Sequence, residues 1–211
     1  MSVKGEPSQK MKDRIILASS SDYKAAALSK LKIDFEQLDP DIDETIHDNE
    51  HPREACQRLA LEKAKIVARK NPGALIIGAD QIGICNQQIL SKTGNKERAV
   101  AQILSMSGKL CHFFTAIAVA KNNGASGFET EIMIDTTKVQ LRKLNEQEIQ
   151  NYVELDNPIS CAGSFKVESL GIALFEKIET DDPSALIGLP LIGVTTLLKI
   201  FNIRLLENAL T

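Results

Sequence analysis

The chain has no excess of positive charge: across 211 residues the formal net charge is −3 and the sequence pI about 5.7. A global field that would recruit nucleic acid or an anionic membrane is therefore excluded, and a polyanion can be held only where basic residues converge locally. No apolar run approaches the roughly 20 residues that a membrane-spanning helix needs. The opening stretch MSVKGEPSQKMKD is polar and lacks the apolar centre of a signal peptide. Residues 1–13 are therefore expected to form a flexible tail, ahead of one domain over residues 14–211.

The four cysteines, Cys56, Cys85, Cys111 and Cys161, form no CxxC pair, and three of them sit among apolar or small residues. That is the pattern of reduced, buried thiols in a cytoplasmic protein. His47 and His51 are four apart but lie in a polar loop, and with His112 they make no zinc pattern. Internal repeats, low-complexity linkers, a Walker loop and a GxGxxG fingerprint are all missing. What is present, 43% hydrophobic and 25% charged residues, is an ordinary globular composition. It suffices for one sizeable domain or two small lobes around a cleft.

RIILA (Arg14–Ala18) reads as a strand, and DYKAAALSKL as a helix capped by Ser21 or Asp22. DFEQLDP is a short strand leading into an acidic loop. Pro52–Lys70 is a long amphipathic helix whose periodic row is Ala55, Leu59, Glu62 and Ile66. A strand opens at Leu75 and a helix near Asn95, and CHFFTAIAVAK and EIMIDTTKVQLRKL form two long strands joined at NNGASG. NEQEIQNYV is a short helix, SCAGSFKVESLG a glycine-punctuated loop, IALFEKIE a strand, and the remainder a turn and a final helix. The order is mixed α/β without the strict alternation of a doubly wound fold. The expected architecture is a single domain with an elongated mixed sheet, flanking helices and a cleft.

Within that order LIIGADQIGIC (Leu75–Cys85) is out of character. Its apolar residues suit a buried strand, yet Asp80 and Gln81 stand in its middle. An unpaired buried charge costs several kcal/mol or more. Either the strand ends at Ala79 and Asp80 caps a turn, or Asp80 is a catalytic or metal-binding carboxylate.

Polar residues that local structure does not require gather in four segments. ASSSDYK is a strand-to-helix turn where hydroxyls, backbone amides and Lys24 meet the positive end of a helix, a setting that favours phosphate. One serine is explained by capping; three are not. DIDE, ending in Asp43 and Glu44, can hold a hard divalent cation or be a solvated acidic loop. Asp80 and Gln81 are followed by Lys92 in ILSKTG, and a lysine near a carboxylate keeps it ionised and also neutralises phosphate. CAGSFKVESLG places Lys166 and Glu168 in a loop whose glycines allow close approach to a ligand.

These same segments resemble the Maf family of nucleoside triphosphate pyrophosphatases over Arg14 to about Phe201. The family's serine-rich turn is LASSSDYKAAAL here, its RLAxEKA helix is RLALEKA with Lys63, its IGAD strand end is IIGADQ, and its GLPL is IGLPLIG. The resemblance implies a Maf/ITPase-like fold with a central nucleotide-binding cleft. It also implies hydrolysis of a nucleotide's α–β phosphoanhydride, giving the monophosphate and pyrophosphate. Asp80, at a strand end, would then be the proton acceptor, with Lys63 and Lys92 also catalytic. Ser19, Ser21, Lys24 and Lys166 would bind substrate, and Glu44 and Asp80 would hold a divalent cation, magnesium or alternatively manganese. The implied partner is a nucleoside triphosphate, with no nucleic acid and no membrane; a homodimer is left open by the resemblance.

Tyr23, Gln81 and Glu168 stand at the positions that vary with specificity, and the family's branch acting on 7-methyl-GTP has an aromatic, a glutamine and a glutamate there. Methylation at the purine's seven-position makes the ring cationic, so stacking on Tyr23 gains about 0.5–2 kcal/mol. Glu168 can accept two hydrogen bonds from the Watson–Crick edge of guanine, and reading such an edge discriminates by up to roughly 10⁴–10⁵. The sequence departs from the family at Asp22, where proline is usual, and at Lys24, where the turn has its second arginine. It departs again at Ser91-Lys92-Thr93, in place of Gly-Lys-Pro, and at Ser169, in place of glycine. The rival expectations are a pyrophosphatase for another nucleotide, or a weakly catalytic regulator of septum formation.

Overall fold

The computed structural model describes residues 14–207. The expected N-terminal tail, residues 1–13, lies outside the described residues, as do residues 208–211 at the end of the expected domain.

Strand β1 (Ile15–Ala18) is buried along its length and stops at the serine cluster. Helix α1 (Asp22–Ser29) starts there, and its cap is Ser21, whose side chain accepts the Lys24 amide from an extended backbone. Strand β2 is Glu36–Leu38. Helix α2 spans Pro52–Lys70, with Pro52 in the first turn, where its missing N–H is harmless, and His51 as the cap. Then follow β3 (Leu75–Cys85), β4 (Gln88–Leu90), α3 (Lys96–Met106), β5 (Leu110–Asn122) and β6 (Phe128–Leu141). Helix α4 (Glu146–Asp156) opens on a capping box between Asn145 and Glu148. Two 3-10 turns, Ala162–Ser164 and Leu170–Leu174, occupy the predicted loop, so β7 begins only at Phe175 and runs to Glu179. Further such turns are Gly124–Ser126, between β5 and β6, and Ala185–Ile187, which precedes α5 (Leu191–Ile200).

The sheet has seven strands in the order β2-β1-β3-β5-β6-β7, with β4 as a further partner of β3. β1 pairs in parallel with β2 and β3, and the remaining pairs are antiparallel, which gives the elongated mixed sheet the sequence led us to expect. Side chains alternate across it. Ile16, Ala18 and Ile76 pack under α2, whereas Ile15, Leu17, Leu75 and Ile77 pack under α1 and α5. A third apolar cluster joins α3 and α4 to the far ends of β5 and β6. Among the described residues no helix is long and apolar enough to cross a membrane.

Two expectations need correction. The buried stripe of α2 keeps Ala55 and Leu59 but continues through Lys63, Ala64 and Val67, leaving Glu62 exposed and Ile66 half-buried. Backbone contact sets this rotation. A Cβ added at Gly78 would lie 2.2 Å from Ala60 O and 2.7 Å from Ala64 N, so α2 presses its alanines directly onto β3. The second correction concerns Asp80, which is not at a strand end and does not cap a turn. β3 continues past it to Cys85, because β5 pairs with it in unbroken register from Leu75↔Lys121 to Cys85↔Cys111. What ends is the other flank: β1 makes its last pair at Ala18↔Gly78, and β4 takes up that edge only at Gly83↔Leu90. The gap leaves Ala79–Ile82 open on one side.

Cys85 and Cys111 are register partners, and all four cysteines are free thiols; Cys161 is half-buried and the others are buried.

Candidate active site

A cleft of about 730 Å³ opens at that gap. Asp80 and Gln81 both line it, although alternation sends them to opposite sheet faces. Asp80 turns toward α2 and Gln81 toward the turn that precedes α5, so one dipeptide supplies two walls of the cleft.

On the α2 side, the Lys63 ammonium lies 2.6 Å from Asp80 Oδ1 and 2.6 Å from Glu44 Oε1. Lys63 and Asp80 are buried, at 6% and 7% exposure, whereas the Glu44 side chain is more than half exposed. Burial alone would lower the Lys63 pKa, but the two carboxylates outweigh it and hold it above the ordinary lysine value. Partial burial would raise Glu44; Lys63 above all, with help from Lys92 and Lys24, keeps it below the usual carboxylate value. The Glu44 loop is tied to α2 by Arg58, which pairs with Glu50 at 2.7 Å and donates to Thr45 O at 3.0 Å. Beneath Asp80, the Cys56 thiol donates to the Asp80 carbonyl at 3.2 Å; burial first, and the Asp80 charge second, push its pKa up to about 12. That cysteine is inert packing.

The serine turn forms the opposite wall. Ser19 Oγ accepts the Ser21 amide at 3.1 Å and Ser21 Oγ accepts the Lys24 amide at 3.5 Å, while exposed Ser20 lines the cleft. Capping therefore accounts for Ser21, and a local turn for Ser19. The stem of Lys24 runs beside Gly188, whose φ of 115° is a conformation that favours glycine. Burial pushes the Lys24 pKa down; Asp80 opposes this, and Lys63 and Lys92 add to it. Lys92 is exposed on the loop between β4 and α3. Its unusual SKT setting is rigidly held. Gln102 accepts the Ser91 amide at 3.1 Å and donates to the Ser91 carbonyl at 3.0 Å, and Thr93 Oγ1 meets Ser164 Oγ at 3.3 Å.

At the far end the Gln81 amide nitrogen faces Thr115 Oγ1 and the carbonyls of Ala185 and Leu186 at 3.0, 3.0 and 3.3 Å. Three acceptors fix its orientation and leave the carbonyl oxygen as the atom it can offer a ligand. Tyr23 is half-buried and Glu168 exposed, and both line the cleft. Asp43, which accepts the Thr45 amide and hydroxyl, is outside the lining, and so is Lys166. Its ammonium donates to Asp156 O at 2.7 Å, at the end of α4, and lies over the Tyr23 ring at 6.0 Å from the centroid. A lysine beside a glycine loop thus binds the protein's own helix end rather than the cleft.

Sequence reasoning missed Asp182 and Ser184. Asp182 accepts the Ser184 amide and hydroxyl at 3.0 and 2.6 Å and the amides of Ile192 and Gly193 at 2.7 and 3.3 Å. It caps α5 and fixes the turn whose carbonyls hold Gln81. Its signal, Asp-x-Ser ahead of an apolar run, was present in DDPSALIG.

A mixed α/β sheet that gathers lysines and carboxylates where one strand loses its neighbour defines a protein built to hold a small polyanion. Comparison places it within that class: the chain belongs to the Maf family, whose model, described as "Maf-like protein", matches residues 14–201. A relative from Nitrosococcus oceani, 45% identical over 88% of this chain and 92% of its own, is named 7-methyl-GTP pyrophosphatase. So is one from Alcanivorax borkumensis, 42% identical over 90% of this chain and 95% of its own. A third with that name, from Colwellia psychrerythraea, is 42% identical over 92% of this chain and 96% of its own. Among solved structures, a HAM1 protein from Coxiella burnetii is partly similar, at 16% identity and a TM-score of 0.45, covering 63% of this chain and 74% of that one.

Proposed function

We propose that this protein is a nucleoside triphosphate pyrophosphatase that hydrolyses 7-methyl-GTP to 7-methyl-GMP and pyrophosphate. The observation that carries the reading is the Lys63 ammonium bridging Asp80 and Glu44 in one cleft with Lys24 and Lys92. The three ammonium groups outnumber the two carboxylates and favour a polyanion, and Tyr23, Gln81 and Glu168 lie in the same cleft for the base. The names of the relatives agree with this substrate.

Chemistry at the anhydride requires a positioned water, a base and neutralisation of the leaving pyrophosphate. Asp80 is the base. Its Oδ1 is held by Lys63, which leaves Oδ2 to take the proton from the attacking water. Lys24 and Lys92 hold the phosphates, and Lys63 carries charge to both carboxylates. Ser19 and Ser21 act by shaping the turn that presents the α1 N-terminus.

Among the described residues no group of three or more metal-ligating side chains gathers. Glu44 and Asp80, two hard oxygen ligands, nevertheless share one cation already, the Lys63 ammonium. That donor set fits magnesium, which takes one or two carboxylates and fills the rest of its shell from phosphates and water. When bound, the ion would supply further neutralisation of phosphate charge. Free, mostly buried thiols fit a reducing compartment, the cytoplasm.

For the base, Tyr23 offers a face for stacking, Gln81 an acceptor and Glu168 a carboxylate. Lys166 already lies over the Tyr23 ring, so the cationic purine stacks on the other face. The test is pyrophosphate release with magnesium from 7-methyl-GTP, GTP, ITP, UTP, dTTP and CTP. Preferential turnover of 7-methyl-GTP is the expected result. Preference for a pyrimidine would refute the base assignment, and binding without turnover would refute catalysis.

A further inference from the structure

Glu168 is exposed and sits in an irregular segment, a poor setting for a residue that must discriminate bases. Its neighbours on both sides are anchored, and to the same place. The Lys166 backbone amide donates to the Tyr152 hydroxyl at 3.0 Å, and the Lys166 ammonium donates to Asp156 O at 2.7 Å. Past Glu168, the Ser169 hydroxyl donates to Asp156 Oδ1 at 2.6 Å, and the Ser169 amide closes a turn onto Lys166 O at 3.2 Å. Ser169 has φ −128°, outside the left-handed region that favours glycine. The turn is tight on its inner side as well. A Cβ at Gly171 would lie 2.4 Å from Lys166 O.

We propose that Asp156 and Tyr152, at the end of α4 and outside the cleft lining, are positioning residues for base recognition, with Ser169 as their tether to Glu168. This rests on the function proposed above, in which Glu168 reads the base. The second Asp156 oxygen, Oδ2, is buried with no hydrogen-bond partner. Burial first, with the Asp156 charge adding to it, pushes the Tyr152 hydroxyl pKa up, so the phenol keeps its proton beside that carboxylate. A buried carboxylate oxygen of this kind is retained at a cost, and its return is a fixed anchor for the loop. The same anchor reaches the second specificity residue, because the ammonium it holds lies over Tyr23. One helix end thus reaches both Glu168 and Tyr23, while Lys63 and Lys92 belong to elements it does not touch through these contacts.

The experiment measures kcat and KM for 7-methyl-GTP and UTP with wild type, Ser169→Ala and Asp156→Asn. Amide exchange over residues 167–170 is measured on the nucleotide-free proteins. Losing one charge-assisted hydrogen bond lowers the 7-methyl-GTP to UTP ratio of kcat/KM by about threefold to thirtyfold. The loss falls on KM for 7-methyl-GTP, with kcat near wild type and exchange of the loop accelerated. Ser169 is exposed, so its alanine variant reports even if Asp156→Asn folds poorly. An unchanged ratio with unchanged exchange overturns the proposal, and so does an equal loss on both nucleotides. A wild type that does not prefer 7-methyl-GTP overturns the reading of Glu168 itself, and the wild-type panel reveals that separately from any variant.

Discussion

Lys63 reaches Asp80 from a helix that touches the strand through Ala60 and Gly78, and the resulting contact is 2.6 Å long in a buried setting. Sequence places the two residues 17 apart on different elements, so their alignment depends on how closely helix and strand approach. The pair is the hub of the cleft, because the same ammonium holds Glu44.

Lys63→Met and Asp80→Asn therefore have different consequences. The first leaves a buried carboxylate without its counter-charge, a loss of about 3–5 kcal/mol of stability. The second keeps the shape and leaves a neutral acceptor for the ammonium, but it removes the proposed base and should lower kcat by roughly 10²–10⁴-fold. Urea unfolding alongside pyrophosphate release separates them. An Asp80→Asn enzyme with full activity would remove Asp80 from the mechanism.

Gly78→Ala tests the close approach. The added methyl would lie 2.2 Å from Ala60 O, a backbone atom that can yield only if α2 moves. Overpacking of this kind typically loses about 1–3 kcal/mol, occasionally more. Because moving α2 also moves Lys63, activity should fall by more than the loss of folded protein explains. Wild-type kcat in a measurably destabilised variant would show that Lys63 needs no such alignment.

These contacts explain what was legible in the sequence and what was not. Lys24, Lys92, Glu44 and Asp80 were identifiable from polar residues that local structure does not require, and Lys63 only from the likeness of RLALEKA to the family's helix; the structure gathers all five. The face of α2 was misjudged because periodicity counts apolar residues, and Lys63 is buried by charge pairing rather than hydrophobicity. Asp80 was placed at a strand end because a charge inside a strand is costly; the sequence carries no sign that the neighbouring strand, not its own, stops there. Lys166 went astray for a similar reason. Its partner is a backbone carbonyl of α4, and no pattern of residue types announces a carbonyl.

Acid should loosen the Glu44 loop before it unfolds the sheet. Arg58, through its hydrogen bonds, pulls the Glu50 carboxyl from 4.5 down to about 2. A carboxyl with a lowered folded pKa contributes stability that is fully present above its unfolded value and lost as pH falls through the folded one. The Glu50–Arg58 contribution is thus intact above 4.5 and disappears as pH falls toward about 2. Glu44, also lowered, shifts in the same direction. Comparing urea midpoints at about pH 5 and about pH 3, the drop should be smaller in Arg58→Gln than in wild type. Equal drops would mean that the pair contributes nothing.

Lys24 gives the opposite pH signature, in binding. Burial holds its pKa below the ordinary 10.5 in the free protein, whereas bound phosphates would pull it back up. Between those two values nucleotide binding takes up a proton, so affinity falls as pH rises through that window. KM for the nucleotide should accordingly begin to climb at a pH below 10.5. Lys24→Arg isolates the cause, since a guanidinium stays charged throughout this range. The variant should bind with a KM that is flat where wild type rises. It should also gain the two-pronged phosphate contact that a guanidinium can make. If both proteins show the same rise, the titrating group is another one, and Lys24 meets the phosphates already fully charged.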